Sequence, residues 1–239
     1  MEHELLNRQQ AIEELHDIMF DLFFCIHRTG KPSVPVCIGA MGIGKTFFMH
    51  NAMRQLASFV KTKIKKIKTD RPTNAKTLLK QLQQFLGALE QHLVELRVSF
   101  GNGTPFTAGP DASDKYQALR GLCARMLASY CHPNAAKLAA DALRIRAYGE
   151  LFATAQADGL LGSVVSAIVE HRCRQQNIDA ATPCIVFLCV DEIQHTLQGG
   201  LDGKTRRHYL RPVLEAVGGL VQKVPLVARE QQMQAPSKP

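Results

Sequence analysis

No apolar run in this chain approaches the ~20 residues needed to cross a bilayer. The longest near the N-terminus, Ile18–Ile26, is short and interrupted by Asp21, and it reads as the buried face of a first helix. A basic leader is missing as well, because Glu2, His3 and Glu4 stand where a secretory signal would carry positive charge. The seven cysteines (Cys25, Cys37, Cys123, Cys131, Cys173, Cys184 and Cys189) include no Cys-x-x-Cys pair. An odd, scattered set argues against a disulfide framework. Cys37, Cys184 and Cys189 fall in predicted strands, where cysteine acts as a small hydrophobe. The expected setting is a reducing intracellular one, cytosol or nucleus. There is no internal repeat and no Asn/Thr-Lys-x-Asp run.

What the chain does contain is the run Val34–Thr46, VPVCIGAMGIGKT. Gly39, four residues (Ala40, Met41, Gly42 and Ile43), then Gly44, Lys45 and Thr46 make a complete Gly-x-x-x-x-Gly-Lys-Thr pattern. An apolar strand, Val34–Ile38, precedes it and a helix, Thr46–Val60, is predicted after it, burying Phe47, Phe48, Met49, Met53 and Leu56. Strand, loop and helix in this order form a phosphate site. Backbone N–H groups of the loop converge on the phosphates, and the start of the helix adds its positive dipole end. Gly44 lets the main chain come close to them. Lys45 supplies a point charge at the β- and γ-phosphates, and Thr46 offers a hydroxyl to Mg²⁺.

A second signal lies far downstream. Cys184–Val190, CIVFLCV, is continuously apolar and ends in Asp191-Glu192. Such a run predicts a strand covered on both faces, as in the middle of a parallel sheet. An Asp at its C-terminal end stands at the ligand-binding rim and can hold Mg²⁺. Glu192 can polarise the water that attacks the γ-phosphate. Gln194 and His195 are lesser candidates near the same phosphate.

The remaining elements frame these two signals. Glu2–Arg28 is predicted as an amphipathic helix, and another runs from Thr73 or Asn74 to about Leu93. In Val94–Phe100 apolar and polar residues alternate strictly, the pattern of a strand with one wet face near a sheet edge. Asp114–Ser129, Ala135–Ala155, Leu161–Gln176 and Arg206–Gln222 read as helices, and Val224–Ala228 as a further strand. The long interval between Lys45 and Asp191 implies a helical insertion at about 106–181. The expected fold is a three-layer α/β P-loop domain over residues 1–229, with a mostly parallel sheet and a disordered tail at 230–239.

The net charge is +8, and much of it sits in Lys61–Lys68, KTKIKKIK. The preferred reading is a solvated helix end leading into a basic loop. A patch for nucleic acid or another polyanion is the alternative, although no aromatic residue is interleaved for base stacking. His171-x-Cys173 and Cys131-His132 lack the four-ligand spacing of a zinc site and are read as ordinary helix residues.

With these residues in hand, the chain resembles the additional-strand P-loop ATPases, which include the AAA+ and STAND classes. Gly39–Thr46, CIVFLCVDE at 184–192 and the opening ELLNRQQAIEEL at 4–15 carry the resemblance. The region VSFGNGTPF at 98–106, with the long helical insertion, is also similar to ATPase domains of Crinkler and retrotransposon-hot-spot type. The resemblance implies ATP and Mg²⁺ as cofactors, Asn7 and Arg8 near the adenine, and assembly as an oligomer or within a larger complex. Departures from the pattern are a missing sensor strand and helical lid, as in a chain truncated at its C-terminus. Arg206, Arg207 and Arg211 follow the acidic strand, but none is assignable as an arginine finger. A nucleotide-binding scaffold without turnover, a small-molecule kinase and a nucleic-acid-associated motor therefore remain alternatives.

Overall fold

The computed structural model describes residues 9–24, 45–70, 75–100, 116–132, 138–179, 182–191 and 211–217. The chain divides into two compact units. The first comprises Met1–Leu93, Pro183–Ile185 and Val224–Pro239, and the second Val94–Thr182 and Val186–Lys223.

Three helices make the described part of the first unit: α1 (Gln9–Phe23), α2 (Lys45–Asp70) and α3 (Ala75–Gln91). Their apolar residues recur at helical spacing and close on one another. Ile12 and Leu15 of α1, Leu56, Val60 and Ile64 of α2, and Leu82, Phe85 and Leu89 of α3 are all buried. The prediction that α2 stops near Val60 and gives way to a basic loop is corrected. The helix continues through the lysines to Asp70. Lysine is a good helix former, and Ile64 extends the Leu56–Val60 stripe by one more turn, so nothing in the sequence breaks the helix. Phe47, expected in the core, is instead 43% exposed, while Phe48 beside it is buried.

The second unit holds α4 (Gln117–Cys131), α5 (Leu138–Phe152), α6 (Leu160–Gln176) and a short helix at 211–217, α7. It also holds all but the first residue of two paired strands, β1 (Leu93–Ser99) and β2 (Ile185–Asp191). The strands run parallel. The Ile185 N–H donates to the His92 carbonyl at one end, and the Phe100 N–H donates to the Asp191 carbonyl at the other. The core gathers Leu96, Val98 and Phe100 with Leu119, Leu122 and Met126 of α4, Leu161, Val164 and Ile168 of α6, and Val213 of α7. Buried residues lie around most of the circumference of α4, as expected of a central helix.

β1 alternates as its sequence predicts, with Val94, Leu96 and Val98 buried and Arg97 exposed. β2 is less covered than a strand sealed on both faces: Ile185 and Cys189 are buried, and the residues between and after them are half-buried. Among the described residues the architecture is mostly helical around this two-stranded parallel sheet. The predicted strands Val34–Ile38 and Val224–Ala228 lie outside the described residues.

The turn ending α6 closes at Asn177: its own N–H reaches the Arg174 and Cys173 carbonyls, and its left-handed φ of 53° brings the Ile178 N–H onto the Cys173 carbonyl at 2.9 Å. Gly159, at φ 71°, opens the same helix.

Candidate functional site

Asp191 is the last residue of β2, at the rim formed by the C-terminal ends of two parallel strands. Its backbone is held there by the hydrogen bond from the Phe100 N–H, 3.1 Å long. This is the position that the Asp-Glu motif predicts. Lys45 and Thr46 are the first two residues of α2, so a long helix begins where the Gly-rich pattern ends. Their side chains lie outside the described residues, as do Arg8, Gly39, Ala40, Met41, Gly42, Ile43, Gly44 and Glu192. Asn7, Gln194, His195, Arg206 and Arg207 are outside them too. Lys45 belongs to the first unit and Asp191 to the second. Arg211 is described and forms an exposed pair with Glu215, 2.7 Å apart one helical turn on.

Sequence reasoning passed over the residue that anchors this rim. Arg125 of α4 is only 6% exposed. Its Nε donates to the Ser99 carbonyl at 3.0 Å, and its Nη1 donates to the Gly121 carbonyl at 3.0 Å. The guanidinium lies over the Phe100 ring, 4.5 Å from the centroid. Burial pushes its pKa down to about 10, so it stays cationic at neutral pH.

One turn further along α4, the Ser129 hydroxyl accepts the Arg97 N–H at 3.0 Å. Residues 92 and 100 use the edge of β1 that faces β2. By the alternation of a strand, the groups of Arg97 and Ser99 face the opposite edge, and α4 caps them with Ser129 and Arg125. The helix therefore covers an edge that would otherwise invite pairing with another strand. The visible signal was a cation in an apolar stretch, GLCARMLA.

The other constellations do not converge. His171 pairs with the Tyr130 hydroxyl at 2.8 Å, whereas Cys173 is buried, so the two residues face different ways from α6. Among the described residues no group of three metal-ligating side chains comes together. None of the described cysteines, Cys123, Cys131, Cys173, Cys184 and Cys189, is in a disulfide. Burial raises the Cys123 thiol to about 12, which leaves it without thiolate character at neutral pH. No described helix is long and apolar enough to cross a membrane.

Compared with known proteins, the chain matches no family model, no curated protein and no solved structure.

Proposed function

We propose that this chain is a Mg²⁺-dependent ATP-binding protein of the P-loop class, of AAA+/STAND-like kind, with a three-layer α/β core. In this reading it cleaves the β–γ bond of ATP and converts that event into a conformational change. The observation that carries the proposal is the position of Asp191 at the C-terminal end of a parallel strand, together with the complete Gly-rich pattern that runs into α2. The donor set fits the group: the Asp191 carboxylate and Thr46 hydroxyl are hard oxygen ligands suited to Mg²⁺. Lys45 and the backbone of residues 40–46 hold the phosphates. Glu192 orients and polarises water for in-line attack. Mg²⁺, when bound, neutralises charge on the phosphate oxygens.

The test is nucleotide affinity with and without Mg²⁺, and phosphate release, for wild type, Lys45→Ala and Glu192→Gln. Loss of a charge-assisted phosphate contact should weaken binding by about tenfold or more in Lys45→Ala. Glu192→Gln should bind ATP normally and release little phosphate. Tight binding with equal release from wild type and Glu192→Gln would leave a nucleotide-dependent scaffold in place of an ATPase. Phosphate transfer to an added acceptor, without free phosphate, would make the protein a kinase.

A second reading, contact with nucleic acid or another polyanion, is favoured by the course of α2. Lys61, Lys65, Lys66 and Lys68 are exposed on continuous helix, and only Lys61 has a close carboxylate, Glu90 at 2.6 Å, among the ion pairs of the described residues.

A further inference from the structure

Resting on the reading of Asp191 as a metal ligand, we propose that Arg125 is a positioning residue that sets the Asp191 main chain at the sheet rim through Ser99 and Phe100. The connection is short and continuous. Arg125 binds the carbonyl of the last β1 residue and stacks on the ring of the next one, and that residue's N–H holds the Asp191 carbonyl. The guanidinium is also fixed by the Gly121 carbonyl on its own helix. One planar group thus ties α4, the end of β1 and the end of β2 together within the second unit.

Several features favour this role over simple packing. A buried arginine is costly to desolvate, and an apolar side chain would fill the space beside the Phe100 ring more cheaply. The flat fork of arginine supplies what such a side chain cannot: directed donors to two carbonyls and a face for the Phe100 ring. Outer-shell groups of this kind orient a metal ligand without touching the metal, and their loss typically costs about 10–100-fold in metal affinity.

The experiment compares Arg125→Gln, Arg125→Lys, Phe100→Leu and Asp191→Asn with wild type in the full chain. Three quantities are read: thermal midpoint, Mg²⁺-free nucleotide affinity and the factor by which Mg²⁺ tightens nucleotide binding. Asp191→Asn should abolish that factor. Arg125→Gln should cut it by about tenfold or more while Mg²⁺-free affinity stays at the wild-type value. Arg125→Lys keeps the charge but loses the fork, so it should fall between them, as should Phe100→Leu, which removes only the stacked ring. If Arg125→Gln does not fold, Arg125→Lys and Phe100→Leu decide. A wild-type Mg²⁺ factor in the folded variants overturns the proposal, as does a parallel drop of Mg²⁺-free and Mg²⁺-bound affinity that tracks the thermal midpoint. An unchanged Mg²⁺ factor in Asp191→Asn instead removes the metal reading of Asp191, and the role of Arg125 falls with it.

Discussion

Acidification should loosen the packing around His16, and replacing His16 with leucine should remove that sensitivity. His16 is 3% exposed on α1, stacked on Phe20 and edge-on to Phe59 and Phe85 at centroid distances of 5.4, 5.2 and 6.1 Å. Its Nδ1 lies 2.9 Å from the Asp17 carboxylate, and its Nε2 is buried without a hydrogen-bond partner. A carboxylate only accepts, so Nδ1 carries the proton and Nε2 is the bare nitrogen. Burial lowers the His16 pKa most, and Lys63 adds to the effect; the Asp17 hydrogen bond and the charges of Asp17 and Asp21 oppose it.

The folded chain therefore takes up this proton at lower pH than the unfolded chain. Stability from neutral His16 is complete above the unfolded value of about 6.5 and is lost as pH falls towards and through the folded value. Whatever the size of that lowering, linkage caps the loss between pH 7.5 and pH 5 at about 2 kcal/mol, set by protonation of the unfolded chain alone. At pH 7.5, leucine should gain about 1–3 kcal/mol by abolishing the orphaned acceptor, less what the rings and Asp17 contribute. Urea unfolding of wild type and His16→Leu across this range measures both effects. Carboxylates that titrate elsewhere cancel in the difference between the two proteins. A difference independent of pH would refute the argument.

Other consequences can be checked separately. Lys65→Glu, Lys66→Glu and Lys68→Glu together should abolish binding of a labelled single-stranded oligonucleotide. Wild-type binding should fall with salt at a log–log slope of about −2, as for three phosphate contacts; no salt dependence in fluorescence anisotropy would exclude an electrostatic surface. At the ends of α6, Gly159→Ala should cost about 1 kcal/mol, because alanine resists positive φ, whereas Asn177→Gly should be neutral or slightly stabilising. Equal thermal midpoints for the two variants would contradict the assigned backbone.

The elements that the sequence made legible are those with strong period and clear punctuation. β1 could be read because three buried residues alternate with Glu95 and Arg97, and α3 because its leucines and Phe85 share one face. The end of α2 departs from the prediction because a run of lysines is not in itself a helix boundary. Helix ends are set by capping and by the reach of the apolar stripe, and Ile64 carried that stripe onward. Phe47 departs from the prediction because consecutive helical residues point about 100° apart, and α2 turns the side of Phe48, not that of Phe47, inward. For the candidate site, the position of Asp191 followed from an apolar strand that meets an acidic pair. The apolar stretch around Arg125 marks the residue but not its role, because that depends on which carbonyls and which ring α4 meets, and pattern within one helix does not contain that information.

The length of α2 has a mechanical consequence. At 1.5 Å per residue, its 26 residues form a rod about 39 Å long, with Lys45 at one tip and Lys68 within its last turn. A tilt of about 10° pivoting on the first tip would sweep the far tip through about 7 Å. In the proposed reading Lys45 sits at the pivot of a lever whose moving end carries the exposed lysines.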